Sequence, residues 1–174
     1  LEPMFSGVSA EVLWRPYDKP YAVGVDIAQV VQRDYDGGFG TLGYNVTTGQ
    51  VSLYADLPWY GMYAVLRGGR YLAGDWGGTI EVGRRFESGI EVGGFATFTD
   101  VPFTTFGEGS FDRGIYVRIP LDLLGIATRN VATALIRGVQ RDGGQRLSVD
   151  SPLWEVTRDG RARAFEDGFR GFVR

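Results

Sequence analysis

Apolar and polar residues alternate one by one along most of this chain, a period of two that belongs to β-strands with unlike faces. The clearest run is Phe111–Leu124, FDRGIYVRIPLDLL. From Ile115 onward, Ile115, Val117, Ile119 and Leu121 fall on one side, and Tyr116, Arg118, Pro120 and Asp122 on the other. The same alternation predicts strands over Val8–Arg15, Tyr21–Arg33, Val51–Leu57, Met62–Arg67, Ile80–Gly83, Ile90–Thr99 and Ala132–Ile136, with a further short one at Leu153–Val156. Pro16–Pro20 and Glu87–Gly89 read as tight turns. Asp34–Thr48, Gly68–Gly78 and Asp100–Ser110 read as longer Gly-rich connections. No segment carries an amphipathic helical pattern. The expected fold is all-β: neighbouring hairpins in an antiparallel up-and-down arrangement of about eight strands, filling residues 1–157, with a polar tail at 158–174.

The alternation leaves sidedness open. A soluble lipocalin-like barrel points its aliphatic rows inward around an apolar ligand. An outer-membrane barrel points them out into lipid and lines its lumen with the polar rows. Three features favour lipid outside. The rows opposite the apolar ones carry Glu11, Arg15, Asp26, Asp56, Arg67, Glu81, Glu91, Arg118 and Asp122, from many strands at similar depth. Small residues in the apolar rows (Ala10, Ala55, Ala64, Gly94, Ala96) would fill a packed core poorly. Trp14, Tyr17, Tyr21, Trp59, Tyr60 and Phe86 cluster near strand ends, where interfacial aromatic girdles belong. Short turns alternating with long loops point the same way.

Composition narrows the chemistry. The chain of 174 residues has no Cys and no His, which removes disulfides, thiol nucleophiles, imidazole bases and the usual zinc and haem ligands. No metal site and no cofactor is expected. The net charge of -3 argues against a nucleic-acid partner. Lys19 is the only lysine beside many arginines, which keep their charge when partly buried and suit a polar interior or acidic sugars; a GC-rich genome would give the same bias. No run reaches the length of a membrane helix, which says nothing against strands. The N-terminus, LEPMFSGVSA, lacks a basic region followed by an apolar core, so it reads as a mature or internal start.

Several segments go beyond pattern: VQRDYDG at 31–37, GRYLAGDWG at 69–77, ATFTDVP at 96–102, FGEGSFDRGIY at 106–116 and RDGGQRL at 141–147. In this order they resemble the C-terminal region of the YjbH family of exopolysaccharide-biosynthesis proteins, over roughly Met4 to Thr157. The resemblance implies a Gram-negative outer-membrane β-barrel, non-catalytic, in secretion or assembly of a polysaccharide. The implied partners are the glycan, outer-membrane lipid, and periplasmic or lipoprotein components. Family members are several times longer, so this chain is expected to be a C-terminal portion or a processed product, and residues 1–157 either a transmembrane barrel of about eight strands or a portion of a larger barrel completed by an N-terminal part of the same protein.

Candidate contacts to a glycan or lumen are Arg33, Asp34, Arg70, Tyr71, Asp75, Trp76, Glu108, Tyr116, Arg118, Asp122, Arg141 and Asp142. Arg–carboxylate groups would pass a hydroxyl-rich or charged chain, and Tyr71, Trp76 and Tyr116 offer faces to sugar rings. The competing reading is structural, with Arg–Asp pairs pinning loops to the rim. A glycan hydrolase would draw its carboxylate pair from Asp75, Asp100, Glu108 and Asp112.

Overall fold

The computed structural model describes residues 4–35, 40–100, 111–120, 131–137, 144–147 and 152–158. Eight strands form one sheet in sequence order: β1 (Phe5–Trp14), β2 (Tyr21–Arg33), β3 (Thr41–Asp56), β4 (Met62–Arg70), β5 (Trp76–Arg85), β6 (Glu91–Thr99), β7 (Phe111–Pro120) and β8 (Val131–Arg137). Every neighbouring pair is antiparallel. From β1 to β6 the up-and-down order follows from short connections, which favour pairing of consecutive strands. Tyr60 and Gly61 turn the β3–β4 corner at φ 51° and 65°, and Gly89 turns the β5–β6 corner at φ 82°. Glycine suits such left-handed positions at no steric cost; Tyr60 occupies one without that freedom.

Three elements differ from the sequence reading. β3 begins ten residues before Val51, so most of the Gly-rich stretch Asp34–Thr48 is strand. There the outer face carries Asn45, Thr47 and Gly49 while Val46 and Thr48 are buried, so the polar outer row conceals the alternation. The thirteen-residue β2 supplies the ladder that extends it. Likewise Gly68 pairs with Gly78 and Gly69 with Gly77, leaving only residues 71–75 as a turn. Finally, Leu153–Arg158 is a short helix, α1, rather than a strand. The Pro152 carbonyl accepts the amides of Glu155 and Val156, and Glu155 sits in the first turn, where its charge suits the helix dipole.

Among the described residues the sheet does not close into the barrel that the sequence leads one to expect. Among the described residues β1 pairs with β2 and β8 with β7, and no ladder joins β1 to β8. The sheet is nonetheless strongly curled. In a flat sheet β1 and β7 would lie roughly 29 Å apart at about 4.8 Å per strand. Here Glu11 of β1 and Arg118 of β7 both hold α1, which is about 9 Å long.

Sidedness is resolved strand by strand. Exposed positions carry Val8 (75%), Val12, Val25, Ile27, Val51, Leu53, Leu66, Ile80, Val82, Val92, Phe98 and Ile115 (56%). Buried positions carry Thr48, Gln50, Ser52, Thr79, Glu81, Glu91, Thr97, Asp112 and Tyr116 (5%). The apolar row of β7 therefore faces outward and its tyrosine faces in, the reverse of a water-soluble barrel. Two small apolar clusters also lie on the inner side: Ala22, Tyr54, Tyr63, Val65 and Trp154, and Ala28, Val30, Val46 and Leu72.

One transverse row fixes the inner wall. Tyr63, Gly83, Gly93 and Tyr116 stand in register on β4, β5, β6 and β7. The two tyrosines lean toward each other over the glycines until their hydroxyls meet at 2.6 Å. A Cβ on Gly83 would lie 2.5 Å from Tyr63 Cζ, and one on Gly93 would lie 2.4 Å from the Tyr116 hydroxyl. Gly93→Ala should therefore cost about 1–3 kcal/mol as overpacking. Gly43→Ala, where a new methyl meets nothing within 4 Å, should change stability little. Thermal unfolding of the two variants beside wild type checks this; equal midpoints would contradict it.

Candidate functional site: the polar inner wall

Alternation on β4–β7 turns one carboxylate, guanidinium or phenol after another toward the same side, and the chain joins them into a continuous network. Arg67 binds Glu81 at 2.6 Å with both side chains nearly buried. Glu81 accepts the Tyr116 hydroxyl at 2.7 Å, Tyr116 meets Tyr63, and Tyr63 donates toward Glu91 at 3.3 Å. Glu91 lies 3.7 Å from Arg85 and 3.5 Å from Arg118, and Arg118 pairs with Glu155 of α1 at 2.7 Å. Three guanidiniums thus face three carboxylates, so the wall is nearly neutral despite its charge density. Buried charges persist when paired in this way, because each lost hydration shell is replaced by fixed partners. Nearer the other rim, Tyr71 meets Thr79 at 2.7 Å and Thr79 meets Thr97 at 2.8 Å. Burial pushes the Tyr71 hydroxyl above its ordinary pKa, against the opposing hydrogen bond from Thr79.

The C-terminal segment packs on this wall. Gly144 N donates to Asp75 Oδ2 at 2.9 Å, Leu72 N donates to the Gln145 carbonyl, and Leu147 packs on the Ala28–Leu72 cluster. At α1, Trp154 stacks on Tyr54 at 4.4 Å between centroids, with the Arg15 guanidinium over its ring at 4.3 Å. Leu153 N donates to Glu11 Oε2 at 3.0 Å. α1 therefore ties β1 to β7 across the mouth of the curl.

The sequence-predicted residues divide. Tyr116 and Arg118 belong to the network, and Tyr71 lies fully buried beside it. Asp34 accepts the Tyr35 amide at 2.7 Å while its own amide donates to the Gly40 carbonyl, and the half-buried Arg33 donates its amide to the Met4 carbonyl. Arg70 donates to the Gly74 carbonyl at 3.1 Å. Asp75 is buried and holds Gly144. The side chains of Asp34, Arg70 and Asp75 thus bind loop backbone. Trp76 is exposed on the outer face, its amide on Asp100 at 2.7 Å. Glu108, Asp122, Arg141 and Asp142 lie outside the described residues.

Arg67, Glu81 and Glu91 stand in the polar rows that the alternation predicts but outside the motifs that single out candidate contacts, and Tyr63 shares the same strand phase. That phase was the available signal. Tyr54 and Trp154 carry no such signal, and the grouping of Glu11 and Arg15 with them comes only from the aperiodic segment that joins them. Glu81→Ala should strand the Arg67 charge in a buried position and cost about 3–5 kcal/mol. Replacing Arg67 and Glu81 together by Met should recover most of that loss. Denaturant unfolding of single and double variants checks this; a double variant as weak as Glu81→Ala would contradict it.

A sequence profile described as "Exopolysaccharide biosynthesis protein YbjH" matches residues 1–159. A curated relative from Escherichia coli (strain K12), "Uncharacterized lipoprotein YjbH", is 42% identical over 165 residues, covering 91% of this chain and 24% of its own length. The chain thus spans about a quarter of that relative. No solved structure matches it. The profile covers nearly every element described above, and on that ground the chain belongs to the YjbH family of exopolysaccharide biosynthesis proteins.

Proposed function

We propose that this chain forms part of the wall of an outer-membrane β-barrel that serves, without catalysis, in secretion or assembly of an exopolysaccharide. The observation that carries the reading is the inverted sidedness: aliphatic rows exposed, charged and hydroxylated rows buried. Such an outer face is costly in water and suited to lipid. A lipocalin-like lumen for apolar ligands needs the opposite arrangement.

The dimensions agree. The ten residues of β5 from Trp76 to Arg85 span about 33 Å at 3.3 Å each, which at a tilt near 40° gives a height of about 25 Å. Exposed aromatics stand at both ends of this belt. Trp14, Tyr17, Trp59, Tyr60 and Phe86 mark one rim, and Tyr35 and Trp76 the other. At the first rim the Arg84 guanidinium lies 4.6 Å above Phe86, a pairing suited to lipid headgroups. The family description supplies the exopolysaccharide, and the relative's description as a lipoprotein supports an envelope location.

The open edges of β1 and β8 fit a wall completed by further strands of the same protein, since an unpaired edge is not tolerated in hydrocarbon. Other components of a secretion machinery, periplasmic or lipoprotein, would dock at the rims. The full-length protein should fractionate with outer membranes and migrate differently on a gel before and after heating. Ile80→Arg, at the middle of the belt, should cost about 2–4 kcal/mol, whereas the same change at Trp59 should cost about 0–1. Recovery of the full-length protein in the soluble fraction without detergent would overturn the reading.

A further inference from the structure

The curl leaves a cavity of about 60 Å³ on the inner side of β1–β3, beneath Gln145–Leu147 and Pro152. One transverse row crosses it. Glu11, Asp26 and Gln50 stand opposite each other in register on β1, β2 and β3. Thr48 and Tyr71 line the same space, with Arg146 on its far side. Every one of these groups is a hydrogen-bond donor or acceptor.

Glu11 and Asp26 are like charges placed directly opposite on adjacent strands, an arrangement that weakens a sheet, and the Leu153 amide on Glu11 and the Arg146 charge near Asp26 offset it in part. One feature of the row is not explained by the fold. Gln50 is 3% exposed, and its Oε1 has no hydrogen-bond partner among the described residues. A buried carbonyl oxygen without a donor is costly, and a donor arriving from a ligand would satisfy it. The same ligand would also satisfy the opposed carboxylates, which accept strongly from hydroxyl groups.

We propose that this pocket is a binding site for a neutral, hydroxyl-rich sugar unit. Gln50 Oε1, Asp26 and Glu11 accept from its hydroxyls, and Arg146 and the Thr48 hydroxyl donate to its oxygens. The charge count selects the class. Two carboxylates face one guanidinium, since Arg67 is committed to Glu81, so the site carries a net negative charge and disfavours uronates. The inference rests on the export reading for the identity of the ligand and goes beyond it in assigning a place and a preference. None of its three acceptors belongs to the loop motifs that carry the family resemblance.

The test titrates full-length protein in detergent with gluco-, galacto- and manno-oligosaccharides and with oligogalacturonate of equal length, followed by saturation-transfer NMR. At least one neutral oligosaccharide should saturate, and oligogalacturonate should bind at least about tenfold more weakly. Gln50→Leu should weaken neutral binding about tenfold, the loss of one buried hydrogen bond, and Asp26→Asn should narrow the preference against the uronate. If Gln50→Leu loses its heat-dependent gel shift, Thr48→Val is read by the same criterion. Absence of saturable neutral binding, or a Gln50→Leu protein that binds as wild type, overturns the proposal. Failure here leaves a protein that still fractionates with outer membranes, whereas failure of the barrel reading leaves one that does not.

Discussion

Everything in this fold depends on a polar face that must be satisfied from within. A sheet that turns its aliphatics outward keeps only two small apolar clusters on its inner side, so directed bonds do much of the holding. The row Tyr63–Gly83–Gly93–Tyr116 is the centre of it. Two bare glycine backbones let two phenols lie across the sheet and meet, and each then reaches a carboxylate, Glu91 or Glu81. Arg67 and Arg118 neutralise those carboxylates in turn. Removing one member leaves a charge or hydroxyl in low dielectric, which is why the network behaves as a unit.

The C-terminal segment extends this logic beyond the strands. α1 is too short to be stable alone, and it is held by Glu11, Arg15, Tyr54 and Arg118, residues from three strands. In return it ties β1 to β7 and sets the curl. Among the described residues no strand pairs with the outer edge of β1 or of β8, and on the proposed reading further strands of a longer family member pair there.

Much of this was legible in the sequence, and the exceptions have physical causes. The alternation of Ile115, Val117 and Ile119 against Tyr116 and Arg118 placed β7 and its unlike faces, because period two is imposed by the pleat itself. β3 was read short, because its first half carries Asn45, Thr47 and Gly49 where other strands carry aliphatics. β4 and β5 were read short where glycine faces glycine and no side chain reports the ladder. α1 was hidden because six residues hold less than two turns of pattern. At the site, Tyr116 and Arg118 were found by motif and phase together. Glu81, Glu91 and Tyr63 shared the phase but had no motif. Gln50, Asp26 and Glu11 become a group only through register between strands, which no single stretch of sequence records.

The central claim is that the aliphatic face meets lipid while the adjacent residues on each strand do not. Val8 and Ser9 are neighbours near the middle of β1; Val8 stands opposite the exposed Gln29 and Ser9 opposite the buried Ala28, so they fall on opposite faces. The described chain contains no cysteine, so a fluorophore on a single cysteine at either position reads one environment. In full-length protein reconstituted with brominated phospholipid, the account predicts strong quenching at position 8 and little at position 9. Equal quenching at both positions, or none at position 8, would contradict it.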